Sequence, residues 1–172
     1  MTVFVAGIHG VGKTYLCRQY AEIFGVRHES SSELIRRALS HPEWDRDKKT
    51  SNIEGNQSIL QGAVQKIVSS ETLLLLDGHF VLINKAAEIV PIDTSVYEGL
   101  SLSGVVLLEA RPELIISRLK DRDSVKTTFD IESLLQAERG HAQLTCRALG
   151  ITLEILNEPT FSVFSKSVKN LS

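Results

Sequence analysis

The sequence predicts a single α/β domain in three layers, and three observations carry that expectation. Short stretches such as Val3 to Ala6, Leu73 to Leu76 and Val105 to Leu108 are apolar throughout, not alternating, as in strands buried on both faces. Longer stretches with helical periodicity separate them, so strand and helix alternate about five times along the chain. At 172 residues, with 42% hydrophobic and 23% charged residues, the chain has the size and composition of one soluble domain around one core. The expectation is a five-stranded parallel sheet flanked by helices.

Each element has its local reason. Residues 2–6 are β-branched and aromatic and end at Gly7, as a buried strand does. A helix then starts and runs to Phe24, with Leu16, Tyr20 and Ile23 on one face and Gly25 as its stop. Val26 to Glu29 read as a short second strand, and Ser30, Ser31 and Ser32 offer caps for a helix through Leu39. Residues 40–52 are polar, aperiodic and contain Pro42, long enough for a functional flap. Ser51 and Glu54 have capping-box spacing for a helix to Ser70. Residues 72–76 form the third strand, ending at Asp77-Gly78-His79, and an irregular stretch follows. Gly104 to Glu109 are the fourth strand, and Pro112 opens a helix to Lys120. Residues 123–130 make a second polar connection. A helix from Ile131 to Leu149 ends at Gly150, the last strand spans Ile151 to Leu156, and a closing helix follows Pro159.

Composition narrows the function classes. A net charge of −2 gives no general reason to expect a nucleic acid or a membrane surface as partner. Cys17 and Cys146 are far apart and form no CxxC pair, which fits packed thiols in a reducing compartment. The first strand begins with no basic, apolar leader before it, and the longest apolar run, Thr72 to Leu76, is too short to span a bilayer. A cytoplasmic protein is expected.

The sharpest motif is Gly7-Ile8-His9-Gly10-Val11-Gly12-Lys13-Thr14, which satisfies GxxxxGK followed by Ser or Thr. Its glycines let backbone N–H groups turn inward around phosphate oxygens, and the helix that follows points its positive end at them. Lys13 would reach the β- and γ-phosphates of ATP, and Thr14 would ligate Mg²⁺. The motif follows a strand and precedes a helix, the context of a P-loop. Together with the strand pattern it predicts the three-layer P-loop NTPase fold. Asp77 ends an apolar strand in the Walker B manner and can hold Mg²⁺ through water. Gly78, not a water-activating glutamate, comes next, which favours transfer over hydrolysis. No NKxD segment for guanine is present.

Arg111, Arg118, Arg122 and Arg139 surround the second polar connection, with Arg118 and Arg122 one helical turn apart. Guanidinium groups stabilise the equatorial oxygens of a transferring phosphoryl group, although such a spacing equally describes a solvated helix face. Arg36, Arg37 and Arg46 are candidates for an acceptor phosphate or surface charge. His9 and His79 are structural or orienting residues before they are bases. Trp44 can stack on a base or pack its loop down.

Taken together, these motifs resemble the nucleoside monophosphate kinases, particularly adenylate kinases of archaeal type, over most of the chain. Ser31 to Arg36 resembles the TGDMLR segment, Asp77-Gly78-His79 resembles the archaeal DTH, and Leu107 to Ala110, RLKDRD (Arg118 to Asp123) and Ile131 to Asn157 follow the archaeal order. The resemblance implies a single kinase domain over 1–172, with an acceptor flap about 31–58 and a short lid about 119–131. It assigns Lys13, Arg118, Arg122 and Arg139 to the transferring phosphoryl group, and Gly7, His9, Gly10, Val11, Gly12, Lys13, Thr14 and Tyr15 to the nucleotide. Ser32, Arg36, Gly78, His79 and Gln136 go to the acceptor, and Thr14 and Asp77 to Mg²⁺. The implied reaction takes ATP and a nucleoside monophosphate to ADP and a nucleoside diphosphate. Departures are the absent arginine of DGxPR, replaced here by Phe80-Val81, and Lys126 in the lid where an arginine is expected. They keep two other readings open: a P-loop kinase of another small molecule, and an ATP-binding regulatory subunit with a protein partner. A homo-oligomer is also compatible with the resemblance.

Overall fold

The first strand, β1 (Thr2–Ala6), is buried at every residue and lies at the centre of a five-stranded parallel sheet. The computed structural model describes residues 1–39, 53–84, 86–123 and 130–172, with side chains except at 53–55 and 121–123. The chain continues through α1 (Lys13–Phe24), β2 (Arg27–Ser30), α2 (Ser31–Leu39), α3 (Ile53–Val68) and β3 (Leu74–Asp77). Then come β4 (Val81–Ile83), β5 (Ile89–Pro91), α4 (Ser95–Glu98), β6 (Leu102–Glu109), α5 (Pro112–Asp123), α6 (Ile131–Leu149), β7 (Thr152–Asn157) and α7 (Phe161–Leu171). The sheet order is β2-β3-β1-β6-β7, so the fold is the expected α/β arrangement of a P-loop kinase.

Alternation along the inner strands builds the three layers. Val3, Val5, Leu75, Val106 and Leu108 join residues of α1, α5 and α7 in one apolar cluster. Phe4, Ala6, Leu74, Leu76, Val105 and Leu107 join residues of α2, α3, α4 and α6 in the other. The inner strands β1 and β3 are buried throughout. The outer strands β2 and β7 are only partly buried, because each has one sheet neighbour. That explains the polar residues Arg27 and Glu154 in strands expected to be apolar, whereas Glu29 is buried and is accommodated by ion pairs with Arg27 and Arg37.

Three differences from the sequence expectation have physical reasons. The stretch after His79 is not irregular: β4 and β5 form a two-stranded antiparallel ribbon, with Val81 opposite Pro91. Strands of three residues are too short to show a period. Ile23 is 56% exposed instead of facing the core. The buried stripe of α1 is Leu16, Cys17 and Tyr20, and in the last turn it is Tyr20 and Phe24 that meet α7, at Phe164 and Lys169. Boundaries of the other elements move by a few residues, as at β3, which includes Asp77. The acceptor loop 40–52 with Trp44 and Arg46, the Ser51 cap, and the lid residues 124–129 with Lys126 lie outside the described residues. Among the described residues no helix is long and apolar enough to cross a membrane, and both cysteines are buried and unpaired.

Candidate functional site

Parallel strands bring their C-terminal ends to one edge, and ligand sites in open α/β sheets form there, where the strand order reverses. In this sheet β1 is followed in sequence by β2 and β3 on one side and by β6 on the other. The Gly7 to Thr14 loop leaves β1 at that point. Asp77 ends β3 and pairs with Val5 of β1, while Glu109 ends β6.

The loop's shape depends on glycine. Gly7 has φ 137°, and a Cβ there would stand 2.4 Å from the Leu108 carbonyl oxygen. The Gly10 and Gly12 backbones are also at positive φ. Val11 is buried beneath the loop, and Gly12 caps α1. Lys13 is 7% exposed; its ammonium donates to the Gly7 carbonyl and, at 3.2 Å, to that of Ile8. A phosphate oxygen would compete with those carbonyls for the same three N–H bonds.

Thr14 Oγ1 donates to Asp77 Oδ2 over 3.3 Å. A hydroxyl and a carboxylate side by side are hard oxygen donors, the chemistry that suits Mg²⁺ completed by phosphates and water. The residues therefore fit the ion that the motif implies. His28 Nε2 of β2 lies 2.8 Å from the same Oδ2, and Ser31 Oγ donates to the Asp77 carbonyl at 2.9 Å. Sequence reading missed His28. Its only signal, a histidine within a strand, gains meaning once β2 is known to pair with β3.

Gly78 is fixed by proximity: a Cβ would meet the Phe4 ring at 2.7 Å and Ser31 Oγ at 2.8 Å. His79 follows, with its ring centroid 4.4 Å from that of His9. Burial, then Lys13 and His9, push the His79 imidazole down to about 2, so it is a neutral ring at physiological pH.

Arg118 Nη1 donates to the Gly10 carbonyl at 2.9 Å, placing a guanidinium over the loop. Arg118, Leu119, Tyr15 and the loop line a cleft of about 320 Å³. A larger hollow, of about 500 Å³, is an open trough lined, among the described residues, by α7 alone. The cleft on the loop is the candidate site. Tyr15 is 70% exposed at its rim.

The other expected residues have partners of their own or lie at the surface. Arg139 forms a bidentate pair with Glu109, through Nε at 2.6 Å and Nη2. Arg111 pairs in the same way with Glu158, whose backbone N–H bonds the Glu109 carbonyl. Arg36 is exposed and pairs with Glu33 at 2.6 Å; Ser32 lies 3.1 Å from Ser30, and Gln136 is exposed on α6. Ser31, not Ser32, touches the Asp77 segment. The Arg122 side chain is outside the described set.

Glu138 is the second residue that sequence reading missed. It is 1% exposed, yet it accepts from Gly7 N at 3.0 Å, Phe80 N at 2.9 Å and Val81 N at 2.8 Å. Burial raises its pKa, opposed by the amide bonds of Phe80 and Val81, by Lys13 and by the Gly7 amide. Every partner is a donor, so the arrangement suits a carboxylate acceptor.

A family model described as an AAA domain matches residues 6–135. Adenylate kinases of Streptococcus agalactiae and Streptococcus pyogenes are each 28% identical over 131 residues, covering 71% of this chain and 60% of the relative. The chain thus spans less than two thirds of the length of these relatives. Among solved structures, a shikimate kinase from Acinetobacter baumannii in complex with shikimate superposes with a TM-score of 0.56 at 20% identity, covering 99% of this chain and 91% of that one. An uncharacterized protein from Eubacterium ventriosum gives a TM-score of 0.52 at 10% identity, covering 99% and 96%. Both are likenesses of fold. The family match reaches from the end of β1 into α6, well over half of the sequence, and the chain belongs to the AAA domain family.

Proposed function

We propose that the protein transfers the γ-phosphoryl group of MgATP to a nucleoside monophosphate, as adenylate kinases do. The observation that carries this reading is the convergence on one loop of Lys13, the Thr14–Asp77 pair and Arg118. Lys13 and Arg118 hold the phosphate charge, Thr14 and Asp77 hold Mg²⁺, and Arg139 stands in reserve at the end of β6. When bound, Mg²⁺ would neutralise the phosphates. No protein base is needed, because a monophosphate acceptor is already an anion. His79, neutral and beside Lys13, orients the site without adding charge. Asp77-Gly78-His79 and the order of the later segments support an archaeal-type relative within the adenylate kinases.

The test is ADP formation from ATP and Mg²⁺ with each ribo- and deoxyribonucleoside monophosphate supplied in turn. One monophosphate should raise ADP well above the hydrolytic background and give its own diphosphate. Failure of all of them would overturn the nucleotide acceptor.

A second reading, transfer to a small hydroxyl compound, draws on the acceptor side. There a serine hydroxyl, Ser31, borders Gly78 and the Asp77 carbonyl, and Phe80-Val81 stand where the resemblance calls for a phosphate-binding arginine. The fold likeness to a shikimate kinase agrees with this alternative. Shikimate and simple nucleosides belong in the same screen.

A further inference from the structure

Gly7, His79 and Arg139 come from three separate parts of the chain, yet one buried side chain lies between them. Glu138 Oε1 takes the Gly7 N–H, which opens the phosphate loop. The carbonyl of the same Gly7 accepts from the Lys13 ammonium. The other oxygen, Oε2, takes the N–H groups of Phe80 and Val81. The peptide joining His79 to Phe80 is thus held at its N–H end by Glu138. Its carbonyl end accepts from the Tyr97 hydroxyl at 2.7 Å. The Phe80 carbonyl in turn accepts from Ile92 N at 2.9 Å. Glu138 itself sits on α6, one residue before Arg139.

We propose that Glu138 is a positioning residue of the phosphate site, locking the phosphate loop, the His79 segment and α6 into one arrangement. The role rests on the phosphoryl-transfer reading above. Its physical basis is that a carboxylate has two oxygens, each able to accept more than one bond, and no donor to misplace. Only such a group can serve three amide N–H groups from two segments at once. A buried salt bridge or an apolar contact would fill the space without fixing these directions. Near-attack geometry is sensitive at this scale, since a displacement of about 1 Å can cost roughly a hundredfold in rate.

The test is Glu138→Gln in the full chain. The amide keeps the shape, but its NH₂ must face at least one backbone N–H. With the monophosphate that the wild type uses, kcat should fall at least about tenfold while KM for ATP moves little. The amide signals of Gly7, Phe80 and Val81 should all shift in ¹⁵N–¹H spectra of the ATP-bound protein. An unchanged kcat per folded molecule, even with a lower Tm, would make Glu138 a structural residue and overturn the proposal. Absence of wild-type turnover with every acceptor sinks the phosphoryl-transfer reading instead. In that event the spectra decide, and unmoved signals at the three amides overturn the role of Glu138. Should E138Q not fold, Tyr97→Phe releases the carbonyl end of the same peptide. A fall in kcat with KM unmoved then supports the locked peptide, and an unchanged kcat refutes it.

Discussion

The Thr14 hydroxyl donates to the Asp77 carboxylate across 3.3 Å, joining the first turn of α1 to the C-terminal end of β3. The two residues are 63 positions apart and meet because β1 and β3 are parallel neighbours, with Val5 opposite Asp77. If this pair holds Mg²⁺, Asp77→Asn should lower turnover by about 10²–10³-fold, the range seen when one preorganised electrostatic group is lost. Thr14→Ser keeps the hydroxyl and should retain most of the rate. Magnesium titrations of ADP formation check this: D77N should need far more Mg²⁺, and an unaltered Mg²⁺ dependence would remove Asp77 from the metal site.

Gly7→Ala tests the loop's backbone independently of catalysis. The new Cβ would meet the Leu108 carbonyl oxygen at 2.4 Å, in a conformation with φ 137°. The contact is with backbone on the neighbouring strand, so no side chain can swing aside. Strain of this kind costs on the order of 1–3 kcal/mol. For a chain of this size that corresponds to a fall in Tm of roughly 2–10 °C, measurable by calorimetry or circular dichroism. An alanine variant as stable as the wild type would show that β6 or the loop yields easily.

What could be read from the sequence was what chemistry demands at fixed spacing or what burial repeats. The loop from Gly7 to Thr14 is contiguous, because backbone amides must wrap one phosphate. The inner strands announce themselves by unbroken apolar runs, and Asp77 ends one of them. Glu138 gave no such signal. Its partners Gly7, Phe80 and Val81 lie 131, 58 and 57 residues away, and its chain neighbours include polar, helix-forming residues typical of a solvated turn. His28 was hidden for the same reason, since only the pairing of β2 with β3 brings it near Asp77. The arginines are intermediate: their number was plain, but their partners were not. Arg139 was expected at the phosphoryl group, and the sheet edge supplies Glu109 to hold it.

His79 predicts a specific acid response. Its folded pKa is pushed down to about 2 from the ordinary 6.5, first by burial and then by Lys13 and His9. Between those values the unfolded chain binds a proton that the folded chain refuses. The contribution to stability is therefore complete above pH 6.5 and lost progressively as pH falls, with a slope of at most about 1.4 kcal/mol per pH unit. Glu138, whose pKa is raised, acts in the opposite sense. The difference between two proteins isolates the histidine better than one curve. Urea unfolding from pH 7 to 4 should show a steeper loss for wild type than for His79→Gln. Parallel curves would mean that His79 takes up its proton in the folded state.

Arg139 and Glu109 allow a catalytic role to be separated from a structural one. Glu109 is 8% exposed, whereas the Arg139 side chain is about half exposed, so the pair is lopsided in its solvation. Arg139→Ala leaves a nearly buried carboxylate without its bidentate partner, a loss of about 1–3 kcal/mol. If Arg139 also serves the transferring phosphoryl group, kcat should fall by about 10³-fold or more, as for arginines that stabilise such transition states. Adding Glu109→Gln removes the stranded charge, so the double variant should regain stability. It should not regain rate, because the guanidinium is still missing. Thermal denaturation and initial rates on the two variants read these effects separately. Recovery of kcat together with Tm in the double variant would show that Arg139 does no more than neutralise Glu109 at the end of β6.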